Sequence, residues 1–221
     1  MKNSILILVF CLFGITAGLA QSEEAYQANR TDFRKRILFG LKGGLNYANV
    51  YDSEGDAFEA DPKLGLAAGV FVAIPIGKLL GLQPEILYSQ KGFKGQGRLL
   101  GSSYQLTRTS TYLDVPLFFA FKPSEFLSIL GGPVFSYLIK QNDAFGNTTT
   151  TIEQETVFAN EDLRKNTLGF SGGVDFTMKH LVFGARVSWD LQKNNMDGTS
   201  STPQYKNVWY QATIGYRFYQ D

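Results

Sequence analysis

Between Val208 and Phe218 the chain alternates strictly. Val208, Tyr210, Ala212, Ile214, Tyr216 and Phe218 fall on one side, and Trp209, Gln211, Thr213, Gly215 and Arg217 on the other. A period of two puts each set on one face of a β-strand. Seven earlier segments carry the same pattern. They run over about Ile37–Ala48, Leu64–Ile74, Leu80–Lys91, Thr111–Ala120 (with a start reaching back toward Tyr104), Phe126–Ile139, Thr167–Phe176 and Leu181–Leu191. In most of them one face is apolar and the other is glycine and polar residues. Between Phe126 and Ile139 both phases are apolar, so the facing stays open there.

The connections alternate in length. Residues 75–79, 121–125 and 177–180 are short, whereas 49–63, 92–103, 140–166 and 192–205 are long and polar. Antiparallel barrels of outer membranes are built this way, with tight periplasmic turns and long external loops. The predicted fold is therefore all-β: an eight-stranded antiparallel up-and-down transmembrane β-barrel with both termini on the periplasmic side. The alternative is a soluble β-sandwich. Volume separates the two, because eight strands enclose an interior only just wide enough for side chains. The apolar face carries too many large residues for that space and must point outward. The other face, with Gly40, Gly44, Gly69, Gly173, Gly184 and Gly215, suits a narrow polar lumen. Aromatics near strand ends, such as Phe39, Tyr47, Tyr88, Trp189, Tyr210 and Phe218, suit interfacial girdles.

The amino terminus changes the location. Residues 1–20 read as a cleavable Sec-type signal peptide: Lys2, an apolar core from Ile5 to Ile15, and small residues ending at Ala20. That core is too short to span a bilayer as a helix. Residues 21–35 read as a polar periplasmic lead-in, and 36–218 as the barrel in the bacterial outer membrane. The single cysteine, Cys11, lies inside the leader, so the mature chain has no disulfide, thiol nucleophile or Cys-ligated metal. Losing Lys2 removes one of 21 basic residues and leaves them equal to the 20 acidic ones. No basic excess points to nucleic acid.

Leu82-Gln83-Pro84-Glu85-Ile86-Leu87-Tyr88-Ser89-Gln90-Lys91-Gly92 resembles the third-strand motif of PorT-like outer-membrane barrels of the Bacteroidetes type. Tyr112-Leu113-Asp114-Val115-Pro116-Leu117 resembles their fourth-strand motif, and Gly131-Gly132-Pro133 also fits. The resemblance covers about residues 36–218. It implies an eight-stranded barrel similar in size to OmpX and to the barrel of OmpA, and little about activity. The founding member is linked to protein secretion, a role that does not transfer on these motifs.

The predicted inward charges are Lys42, Glu85, Asp114, Asp175, Arg186, Asp190 and Arg217. They read either as a polar conduit or as an ion-pair network filling the lumen, and the second follows from the need to pair buried charge. Ile214, Tyr216 and Phe218 read as the outer face of the strand that closes the barrel. Pro84 and Pro116 lie inside predicted strands and call for a bulge or a place near a rim. His180, the only histidine, falls in a short turn, away from the outer rim where a hydrolase barrel would use it. Residues 52–61 carry five carboxylates but lack the spacing of an EF-hand loop. Asn147-Thr148-Thr149 matches a glycosylation sequon of little meaning in a bacterial protein. No cofactor or metal site is expected. The expected role is non-enzymatic: structural, adhesive or accessory to an envelope assembly through exposed loops. The alternative is a narrow transport or secretion-associated pore. Expected partners are outer-membrane lipid, the barrel-assembly machinery and other envelope proteins.

Overall fold

The computed structural model describes residues 32–54, 59–99, 102–146, 151–156, 163–195 and 204–219. The signal peptide, most of the lead-in, Asp56 and the Asn147-Thr148-Thr149 sequon lie outside them. The described residues form nine strands: β1 Leu38–Glu54, β2 Glu59–Pro75, β3 Leu80–Leu99, β4 Ser102–Phe121, β5 Leu127–Gly146, β6 Thr151–Thr156, β7 Asn166–Met178, β8 Leu181–Asp190 and β9 Gln204–Phe218. The pairing runs β4-β3-β2-β1-β9-β8-β7-β5, and β4 pairs with β5 to close the ring. Eight strands thus form a closed antiparallel barrel. The ninth, β6, is an arm on the upper part of β5, from Gln141↔Thr156 to Gly146↔Thr151.

The facing follows the alternation. Leu64, Phe119 and Ile214 are at least 60% exposed, whereas Asn46, Ser89 and Trp209 on the opposite face are at most 2% exposed. An apolar exterior around a polar interior inverts a soluble fold and matches a barrel in lipid. Phe39 pairs with Phe218 at the periplasmic end of the β1–β9 ladder, and Tyr47 pairs with Tyr210 further up it. Eight residues separate the two aromatic pairs, about 27 Å along a strand. With a barrel tilt of about 40°, that spans close to the height of an outer-membrane apolar band.

Several expectations are corrected by the ladders. Much of the predicted long loops is strand. β3 and β4 pair continuously out to Leu99↔Ser102, and β5 continues to Gly146, so Lys140 lies in a strand opposite Thr111. Above the membrane the outer face meets water instead of lipid and becomes polar, so the apolar/polar alternation fades while backbone pairing continues. Nor do Pro84 and Pro116 sit at bulges. The β3–β4 register is the same on both sides of them, from Pro84↔Leu117 to Leu87↔Asp114, and only the pairs between are missing. Prolines remove ladder bonds there without shifting the strands. The open facing of the fifth segment resolves with Ile129, Phe135, Tyr137 and Ile139 outward and Leu130, Val134, Ser136 and Leu138 inward.

Candidate functional site: the packed lumen

The inward side chains stack in layers. At the periplasmic end Phe118, Ala120 and Leu130 form a small apolar cluster. Phe71 lies over Gly40, whose missing Cβ makes room for the ring.

Above them is a cluster of four charges. Lys42 Nζ lies 2.6 Å from Glu85 Oε1, and Arg186 Nη2 donates to Asp175 Oδ1 at 2.7 Å. The amide of Gln83 joins the two carboxylates, at 2.9 Å to Glu85 and 3.0 Å to Asp175. Arg186 Nη2 also lies 3.8 Å from Glu85 Oε1. In the ring of eight, β3 and β8 stand four places apart, so the approach of Glu85 to Arg186 spans the lumen. The guanidinium further donates to the carbonyl of Val174 at 2.8 Å and sits over the Phe118 ring. Two glycines make this packing possible. A Cβ on Gly173 would lie 2.7 Å from Arg186 Cδ, and one on Gly184 would lie 2.8 Å from Asp175 Oδ1. The glycine-rich inward face is thus the space the ion pairs occupy.

The next layers are also bridged. Asn46 donates to Ser89 at 2.9 Å and accepts from Gln211 at 2.9 Å, and Ser188 donates to Ser171 at 2.7 Å. Lys91 pairs with Asp114 at 3.0 Å, contacts Ser136, and sits 3.6 Å from the centre of the Trp209 ring. Asp190 accepts from Asn207 Nδ2. At the outer end Arg108 makes a two-pronged bond to Asp143, Nε at 2.7 Å and Nη2 at 2.6 Å. Its Nη1 donates to the Tyr205 hydroxyl at 3.2 Å, joining β4 to β9, again four places apart. Phe93, Leu106 and Tyr205 pack around it.

Of the predicted inward charges, the structure brings Lys42, Glu85, Asp175 and Arg186 into one cluster and places Asp114 and Asp190 in others. Arg217 does not join them. It sits at the foot of β9, donates to the Lys179 carbonyl at 3.0 Å, and has no ion pair among the described residues. Its strand position is too close to the turn to reach a lumen carboxylate. His180 occupies the same foot, stacked between Tyr216 and Tyr219. Lys91, Arg108 and Asp143 went unforeseen. Lys91 shares the parity of Gln83, Glu85 and Ser89, which was signal enough. Arg108 and Asp143 lie where the strands leave the membrane and no alternation marks them.

The chain belongs to the outer-membrane-protein β-barrel domain family, whose pattern it matches over residues 19–195. It is an outer-membrane β-barrel protein. Among solved structures it is similar to the attachment invasion locus protein Ail of Yersinia pestis, at 13% identity over 83% of this chain and 99% of that one, with a TM-score of 0.47. It is similar to OprG of Pseudomonas aeruginosa at 14% identity over 86% and 100%, TM-score 0.47. The Neisserial surface protein NspA aligns at 11% identity over 81% and 97%, TM-score 0.44. No curated protein matches.

Proposed function

We propose that this protein is a non-enzymatic, non-conducting barrel that makes contacts outside the cell through the strands it raises above the membrane. The PorT-like motifs of β3 and β4 support membership of that branch of the family. The observation that carries the contact role is strand length. About 9–11 residues carry a tilted strand across a bilayer, whereas β3, β4 and β5 each have 20. Beyond Tyr88, Leu113 and Ile139 the outward positions turn polar, with Lys94, Gln105 and Asn142 exposed. Such a wall has no use in lipid. It stands in water as a sheet, and β6 is the last strand in it. Sheet edges recruit extended segments of other chains through backbone hydrogen bonds.

The test trims the sheet and leaves the barrel. Replacing Gly95–Leu106 by an Asn-Gly turn joins Lys94 to Thr107, which already face each other. Replacing Ala144–Glu153 in the same way joins Asp143 to Gln154 and spares the Arg108 pair. The trimmed protein should still assemble and show heat-modifiable migration, while proteins crosslinked to it in native membranes disappear. An unchanged crosslinking pattern would contradict the contact role.

A further inference from the structure

The outer rim of the barrel sorts its charges by side. Tyr47, Tyr88, Tyr137 and Tyr210 are exposed and mark the upper edge of the apolar band. Beyond them come lysines. Lys63 adjoins Leu64, the partner of Tyr47, and Lys165 adjoins Asn166, the partner of Tyr137. Lys140 follows the exposed Ile139, and Lys94 and Lys206 lie farther along β3 and β9. All five are exposed or half-buried. The carboxylates Asp114 and Asp143 are instead buried in the lumen, held there by Lys91 and Arg108. Asp190 is buried there too. On the outside, Asp61 stands opposite Lys94 in the β2–β3 ladder, and no ion pair joins the two.

The positive charge is most crowded at Lys63. The β2–β3 register shifts between Pro62 and Ala67, and Lys63 sends its ammonium past β3 to the Thr109 hydroxyl of β4. Thr109 pairs with Gly92 of the intervening strand, so no side chain at that position blocks the reach. Burial and the nearby Lys94 ammonium hold Lys63 below the ordinary lysine value. Lys94 makes no hydrogen bond or ion pair among the described residues. Two ammoniums and a hydroxyl thus share one stretch of the outer wall, and an anion beside them would relieve the repulsion. Directly below are the exposed Leu64, Leu66 and Tyr88.

We propose that this rim binds a phosphorylated glycolipid of the outer leaflet, with a phosphate on Lys63, Lys94 and Thr109 and acyl chains along Leu64, Leu66 and Tyr88. Charge complementarity and height argue for that occupant. Cations just above an interfacial aromatic girdle lie at the level of lipid headgroups. A soluble polyanion would use the lysines and leave the apolar wall below them without a role, whereas an amphiphile uses both. The inference does not depend on the contact role, because the trimmed barrel described above keeps Lys63, Lys94 and Thr109 and should bind the same lipid.

Native mass spectrometry of the full protein released from detergent tests it, with bisphosphorylated lipid A and its dephosphorylated form as probes. A chelator is present throughout, so that divalent ions cannot bridge the lipid to carboxylates. The wild type should retain lipid A at least five-fold better than the dephosphorylated form. The double variant Lys63→Gln with Lys94→Gln should lose that preference. Lys78→Gln, in the β2–β3 turn at the opposite end, should keep it. Millimolar tripolyphosphate should not displace the lipid. Heat-modifiable migration confirms that each variant is folded, and if the double variant fails to fold, Lys94→Gln decides alone, since that ammonium holds nothing in the fold. Equal retention of the two lipids by the wild type, or an unchanged preference in the folded lysine variants, would overturn the proposal. Displacement by tripolyphosphate would overturn the lipid assignment and make the rim a site for soluble polyanions.

Discussion

Deleting Tyr216–Asp221 should abolish assembly of the barrel. In β9, Tyr216, Arg217 and Phe218 pair with Leu41, Gly40 and Phe39 of β1, and Tyr216 also pairs with Leu181 of β8. Without them the periplasmic end of β1, Phe39 to Leu41, loses its β9 partner, and its backbone N–H and C=O groups on that side face hydrocarbon. Each such group costs several kcal/mol, which is why only closed barrels survive in a membrane. The truncated chain should give no heat-modifiable band and no protease-resistant core after mixing with lipid vesicles. A truncated chain that assembles at the normal yield would mean that the barrel closes by another strand pair.

The second large effect is at Arg186. Arg186→Ala should destabilise the barrel by about 3–5 kcal/mol, because it strands the buried Asp175 carboxylate and breaks the link toward Glu85. Lys78→Ala, in the exposed β2–β3 turn, should fall within about 0.5 kcal/mol of wild type. The double variant Arg186→Ala with Asp175→Ala should be less unstable than the two single effects added together, since the second change removes the charge the first one orphaned. Denaturant titration of unfolding in lipid vesicles measures all four. Additive single effects would show that the pair at 2.7 Å is not energetically coupled.

How much of this was legible in the sequence depended on the solvent at each face. In the membrane, lipid outside and a polar lumen inside impose alternation, so Val208–Phe218 reads directly as a facing. The fifth segment resisted because its lower inward residues are apolar too. Leu130 belongs with Phe118 and Ala120 in the small cluster that fills the periplasmic end. Outside the membrane the alternation vanishes, which hid the upper halves of β3, β4 and β5 and with them Arg108 and Asp143. The partners of the buried charges were illegible for another reason. Glu85 and Arg186 are far apart in sequence and meet because β3 and β8 stand opposite in a ring of eight, a fact of closure and register. Arg217 shares the inward parity of Gln211 and Thr213, yet its height on the strand puts it at the rim. Parity gives a face and says nothing of depth.

The lumen is filled by its own side chains, from the Phe118 cluster through the Glu85–Arg186 span to the Arg108–Tyr205 bond. The most direct test is the conductance of the unmodified protein in a planar lipid bilayer. Eight strands leave no spare width once the interior is filled, so insertion should leave the current at baseline across the applied voltages. Stable, stepwise conductance from the wild-type barrel would contradict the packed lumen and support a pore.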